Sequence, residues 1–160
     1  MNKLRRLLYI AVFPALIPWL AGCISDSFTT SPSDVLTFSA DTVSFDTVFT
    51  DLGTPTARLK VFNKAKKAVN ISSIRFEGDS DSYFSMNVDG QSGRQFSDVE
   101  IRGGDSIFVF IECFIPEQEQ NTPQLIEDRL QFVTNGVTQN VLLEAWGQNV
   151  TRLKGITVKD

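Results

Sequence analysis

The chain has 160 residues, with 19 acidic side chains against 15 basic ones, a net charge of −4, two cysteines and no histidine. That length holds one domain with short appendages. The lack of histidine removes the commonest general base and metal ligand, and with it every Ser-His or Cys-His arrangement. The acidic balance opposes a phosphate backbone, so nucleic acid is not an expected partner.

Lys3, Arg5 and Arg6 open the chain, and LLYIAVFPALIPWLAG follows from Leu7 to Gly22. This run of 16 residues is shorter than a membrane-spanning helix wants and carries Pro14 and Pro18. A positive start, an apolar middle and a small-residue end are the parts of a secretory leader, assigned to residues 1–22. Its last residues with Cys23, Leu-Ala-Gly-Cys, resemble the lipobox of bacterial lipoproteins. That resemblance implies a diacylglycerol on the Cys23 thiol, cleavage before Cys23 and acylation of the new amino group. The mature chain would then hang from a membrane by its first residue without spanning it. Loss of three basic residues with the leader takes the net charge from −4 to −7. With Cys23 lipidated, Cys113 has no disulfide partner, so stability must come from a packed core.

Residues 23–34 comprise the lipidated cysteine and a Ser-, Thr- and Asp-rich stretch that reads as a flexible spacer. From Val35 the hydrophobic period is two. Leu36, Phe38 and Ala40 alternate, then Val43, Phe45 and Phe49, with Leu59 and Val61 in ARLKVFN. The turn NKAKKA leads to VNISSIRF, where Val69 and Ile71 share one phase and Ile74 and Phe76 the other. That slip predicts a bulge near Ser72 and Ser73. YFSMNV, the turn DGQSG, QFSDVEI and the glycine turn IRGGDS continue the series. SIFVFIECFIP is the most apolar strand and stops at Pro116; IEDRLQFV, the turn TNG and TQNVLLEAWG complete the domain. Seven to nine short strands with regular turns predict an all-β, immunoglobulin-like antiparallel sandwich over residues 35–148, with 149–160 as a tail.

The segments VFNKAKKAVNISSIRF, IRGGDSIFVFIECFIP, DRLQFVTNG and VLLEAWGQ, in that order, resemble the abnormal-spindle/Hydin-type immunoglobulin-like domains, relatives of the major-sperm-protein fold. The matching positions are Asn63, Ile71, Ile74, Gly103, Gly104, Pro116 and Gly147. With the lipobox in front, the chain is similar to lipoproteins of Gram-negative gut anaerobes, in some of which such a domain precedes a larger module. Only a short tail follows it here, and the resemblance brings no catalytic residue to carry over.

Neither catalysis, a cofactor nor a metal is therefore expected. Asp79 and Asp81 in EGDSDSYF begin like a calcium loop, but the glycine and terminal glutamate that such a loop needs do not follow, which favours a solvated turn. Cys113, in phase with Ile111 and Ile115, reads as a small buried apolar residue. The strand SIFVFIECFI is apolar on both faces. Phe108, Phe110 and Phe114 are expected either to lie under the loop EQEQNTPQ or the N-terminal segment, or to form a partner surface. Asp41-Thr42-Val43, Asp46-Thr47-Val48 and Asp105-Ser106-Ile107 match an O-glycosylation signal of some gut anaerobes, marking Thr42, Thr47 and Ser106. The functional expectation is a non-catalytic lipid-anchored module that binds a protein or glycan, or spaces one, at the cell envelope, with the outer membrane favoured. Alternatives are a fimbrial-type structural subunit and a small lipoprotein inhibitor or immunity factor.

Overall fold

A computed structural model describes residues 27–117 and 122–150. The leader, Cys23 and the last ten residues lie outside the described part. The strands in chain order are β1 (Leu36–Phe38), β2 (Thr42–Phe49), β3 (Ala57–Asn63), β4 (Val69–Phe76), β5 (Phe84–Val88) and β6 (Gln91–Gly93). There follow β7 (Gln95–Phe96), β8 (Val99–Ile101), β9 (Ser106–Cys113), β10 (Gln124–Thr134) and β11 (Val137–Gln148).

They form two sheets, one in the order β1-β3-β9-β5-β6 and the other β2-β11-β10-β4-β7, with β8 also paired to β4. This is the immunoglobulin arrangement of two facing layers, antiparallel except where β2 joins β11. The first strand pairs in one sheet, and its continuation β2 crosses to run parallel to β11 in the other. Eleven strands replace the predicted seven to nine, because the segment from Gln91 to Ile101 contributes three pieces of two or three residues each. Asn135-Gly136 and Asp89-Gly90 close their hairpins with positive φ at both residues, as tight two-residue turns require.

The inward faces interlock as the alternation predicts. Leu59, Val61, Val109, Ile111 and Phe84 face Ile71, Ile74, Leu130, Phe132, Val141 and Leu143, all fully buried. Rings cross the layers, Phe38 against Phe132 at 5.0 Å and Phe45 against Phe84 at 5.8 Å. The expected bulge is present. The β4–β10 register shifts between Ser73 and Ile71, leaving Ser72 out of the ladder, where its hydroxyl donates to Val133 O at 3.0 Å. Both halves of β4 thereby turn their hydrophobic residues inward.

Two expectations are corrected. Phe49 is exposed and Val48 takes the inward place, because Asp46 is left out of the ladder between Phe45↔Ala145 and Thr47↔Trp146. Nor is all of the predicted spacer free of the fold. Thr29 N donates to Ala68 O and Ala68 N to Ser27 O, while Asn135 Nδ2 donates to the carbonyls of Ser31 and Asp34. The buried Thr29 hydroxyl is tied to Asp34. Polar side chains anchor Ser27–Asp34 here through hydrogen bonds, which composition alone cannot distinguish from solvation.

Asn63 sits at the same end of the sandwich. It is buried, and its Nδ2 donates to Lys67 O, Ile101 O and Arg102 O at 2.8, 3.0 and 3.1 Å, while its Oδ1 accepts from Ala65 N at 2.9 Å. The β3–β4 turn and the β8–β9 turn are thus locked together. A Cβ on Gly103 would stand 2.2 Å from Lys66 O, which is why that position is glycine.

Candidate functional site

Strand β9 divides its side chains between two environments. Val109, Ile111 and Cys113 are in the core, whereas Phe108 is 43% exposed and Phe110 half-buried on the outer face. Pairing sets Lys60 opposite Phe108 and Arg58 opposite Phe110 on one side, and Asn87 opposite Phe110 on the other. The Phe108 and Phe110 rings lie 6.1 Å apart. Lys60 Nζ is 5.0 Å from the Phe62 ring centre and 5.4 Å from that of Phe108, a doubly cation-π-coupled ammonium. Beside Phe110 a groove of about 120 Å³ is lined by Ser85, Asn87, Ser92 and Glu112. In it Asn87 Nδ2 donates to Ser92 Oγ at 3.1 Å, and Thr56 Oγ1 donates to Glu112 Oε1 at 2.7 Å just outside.

The face therefore combines flat aromatic surface, a lysine held over two rings and short polar groups on one sheet. That combination suits stacking against a planar or sugar-like apolar surface with hydrogen bonds at its rim. Phe114 shares the phase but stands apart, 53% exposed past the end of β9, where its N–H donates to Tyr83 O at 2.9 Å. The described N-terminal residues pack against Ala68 and Asn135 and not over this face; residues 118–121 of the other candidate cover lie outside the described part.

Sequence reasoning missed a second outward patch. Leu125 and Trp146, 46% and 48% exposed, are directly paired on β10 and β11, and Phe49 projects nearby from β2. The signal was available in VLLEAWG, where Trp146 is out of phase with Val141, Leu143 and Ala145. The three marked hydroxyl residues are scattered. Thr47 is exposed at the bulge of β2 beside Trp146, Thr42 is half-buried at its start, and Ser106 is half-buried at the start of β9. Cys23 is outside the described residues.

Asp79 and Asp81 lie in a one-turn 3-10 helix, Asp79–Asp81, and Arg94 Nη2 donates to Asp79 O. Among the described residues no three His, Cys, Asp or Glu side chains converge as a ligand set. Cys113 is buried, and burial pushes its thiol from 9.0 up to about 12, because a thiolate there would be stripped of water. The unfolded chain would lose this proton first as pH rises, so the cysteine's contribution to stability is intact below pH ~8.5 and falls toward 12. The denaturant midpoint should therefore drop over that window, and drop less steeply in Cys113→Ala. Equal slopes in the two proteins would show that the thiol is not shielded.

No family model matches the sequence, and no curated protein matches it either. Solved structures do match. A protein of unknown function from Porphyromonas gingivalis W83 superposes with a TM-score of 0.52 at 11% identity, over 71% of this chain and 48% of its own. The chain thus spans about half the length of that protein. The E. coli chaperone DraB gives 0.45 at 14% identity over 69% and 54%, respectively. The ASH/PapD-like domain 7 of human CEP192 gives 0.45 at 13% over 78% and 92%. At these identities the likeness concerns the fold alone.

Proposed function

We propose that the protein is a non-catalytic, lipid-anchored envelope module. Its immunoglobulin-like domain presents the Phe108–Phe110 face, with Lys60, Phe62 and Arg58, to a protein or glycan partner. The observation carrying this reading is the exposure of large aromatics from a strand whose other face is fully committed to the core. Exposed aromatic surface on a rigid sheet costs solubility and is retained where something covers it. The anchor rests on the Leu-Ala-Gly-Cys motif at Cys23 after a short apolar leader. Anchoring through lipid on Cys23 leaves the whole sheet surface free for a partner. Thr42, Thr47 and Ser106 remain candidates for O-glycosylation, Thr47 being the most accessible.

The partner surface is tested by site-specific photocrosslinking in cells. A benzophenone side chain at Phe108 or Phe110 should give discrete adducts, while the same group at the exposed Arg75 on the opposite sheet should not. No adduct at either phenylalanine would reduce the domain to a spacer.

A second reading, a strand-exchanging subunit of a surface assembly, draws on the free edge of β2, beside which runs a groove of about 320 Å³ between Ser44–Val48 and Thr54–Ala57. The Asp46–Thr47 bulge interrupts that edge, as native edges are commonly protected. Concentration-dependent polymerisation would favour this alternative.

A further inference from the structure

Basic side chains cluster in one turn at an end of the sandwich, and the first described residues pack beside that turn. The β3–β4 turn carries Lys64, Lys66 and Lys67, all exposed, and among the described residues none of them pairs with a carboxylate. Arg102 lies on the adjoining β8–β9 turn, which Asn63 fastens to the lysine turn. Of the acids at this end, Asp34 meets the Thr29 hydroxyl, Asp105 accepts from Ser106 N and Asp98 accepts from Asn70 Nδ2, while Glu100 stands exposed on β8, away from the lysine turn's tip. Asp89 stands at the far edge of the sheet. At the opposite end Asp51, Glu77, Asp79, Glu117 and Glu127 are exposed, with Arg94 and Arg129 among them. Strands of this length set the two ends roughly 30 Å apart, several Debye lengths at physiological salt.

Residues Ser27–Thr29 pack against the lysine turn. Ser27 O accepts from Ala68 N, and Thr29 N donates to Ala68 O; Ala68 immediately follows Lys67. Phe28, between them, is 43% exposed. Cys23 is four residues before Ser27, so a lipid on it is at most about 14 Å of chain from Ser27, which is bonded next to the lysine turn. An acidic protein thus turns a compact cationic surface with an exposed aromatic toward its own attachment point.

We infer that the Lys64–Lys67 turn, with Phe28 beside it, docks on an anionic phospholipid surface and stands the domain upright on the membrane. The inference rests on the anchoring reading above. In that orientation the cations meet lipid phosphates, Phe28 sits at headgroup level and the acidic end is repelled outward. The Phe108–Phe110 face then runs up the side of the upright domain, open to a partner.

The test uses the full-length protein extracted from membranes, alone and as the Lys64→Glu, Lys66→Glu, Lys67→Glu variant. Partition is measured onto vesicles of phosphatidylcholine and of phosphatidylcholine mixed with phosphatidylglycerol. Lysine near an anionic leaflet contributes roughly a factor of five, so the wild type should gain about 100-fold on the anionic vesicles at low salt and lose the gain at high salt. The variant should show none of it, and a Lys-to-Gln triple should lie between. An equal gain in wild type and variant, or no gain in the wild type, overturns the inference. Failure of the anchor reads out separately, as no partition of either protein onto neutral vesicles.

Discussion

Phe84→Ala is expected to lower the unfolding free energy by about 4 kcal/mol, the range for deleting a buried aromatic from a packed core. Phe84 is fully buried on β5, directly across from Cys113 of β9, and its ring meets Phe45 of the opposite sheet at 5.8 Å. It therefore joins the layers at a point where β2 is itself an edge strand, and the cavity left by truncation would open toward the least supported part of the second sheet. Phe108→Ser, in contrast, removes a ring already 43% in solvent and should cost no more than ~1 kcal/mol. Chemical denaturation of both variants checks the pair. A large loss in Phe108→Ser would make that residue core and would remove the basis of the partner face.

Asn63→Ala should cost about 3 kcal/mol. The side chain supplies hydrogen bonds to three backbone carbonyls and takes one from Ala65 N, and its truncation leaves these backbone groups without their partner. Asn63→Asp should be at least as damaging, because it points a carboxylate at the same three carbonyl oxygens. Both variants should also loosen the turns holding Lys64, Lys66, Lys67 and Arg102, visible as faster amide exchange at Ala65 and Gly104. Gly104 N donates to Ala65 O, so the two amides report the same junction. Melting curves unchanged by Asn63→Ala would mean that the turns are held by their backbones alone.

The β character, the turn positions and the Ser72 bulge were legible, since each rests on a local period or on a glycine-containing turn. The change of phase in VNISSIRF can be satisfied only by an extra residue, and the structure places it at Ser72. The slip at Asp46–Thr47 was hidden, because TVSFDTVF reads as unbroken alternation until the parallel partner β11 imposes its own register. Composition made Ser27–Asp34 look like spacer, when Thr29, Asp34 and Asn135 bind it through hydrogen bonds to residues far along the chain. The double-faced apolar pattern of SIFVFIECFI was visible, as was the lysine run NKAKKA. What sequence could not place was Lys60 between Phe62 and Phe108, or Ser27–Thr29 against Ala68 beside the lysine turn, because both are products of cross-strand register.

The proposed attachment, orientation and partner surface form one arrangement, and attachment at Cys23 is its premise. Metabolic labelling with a clickable fatty acid, in the native host, compares the wild type with Cys23→Ala. The account predicts label on the wild-type protein and none on the variant. Label surviving in Cys23→Ala, or a wild-type protein that takes up none, would contradict it.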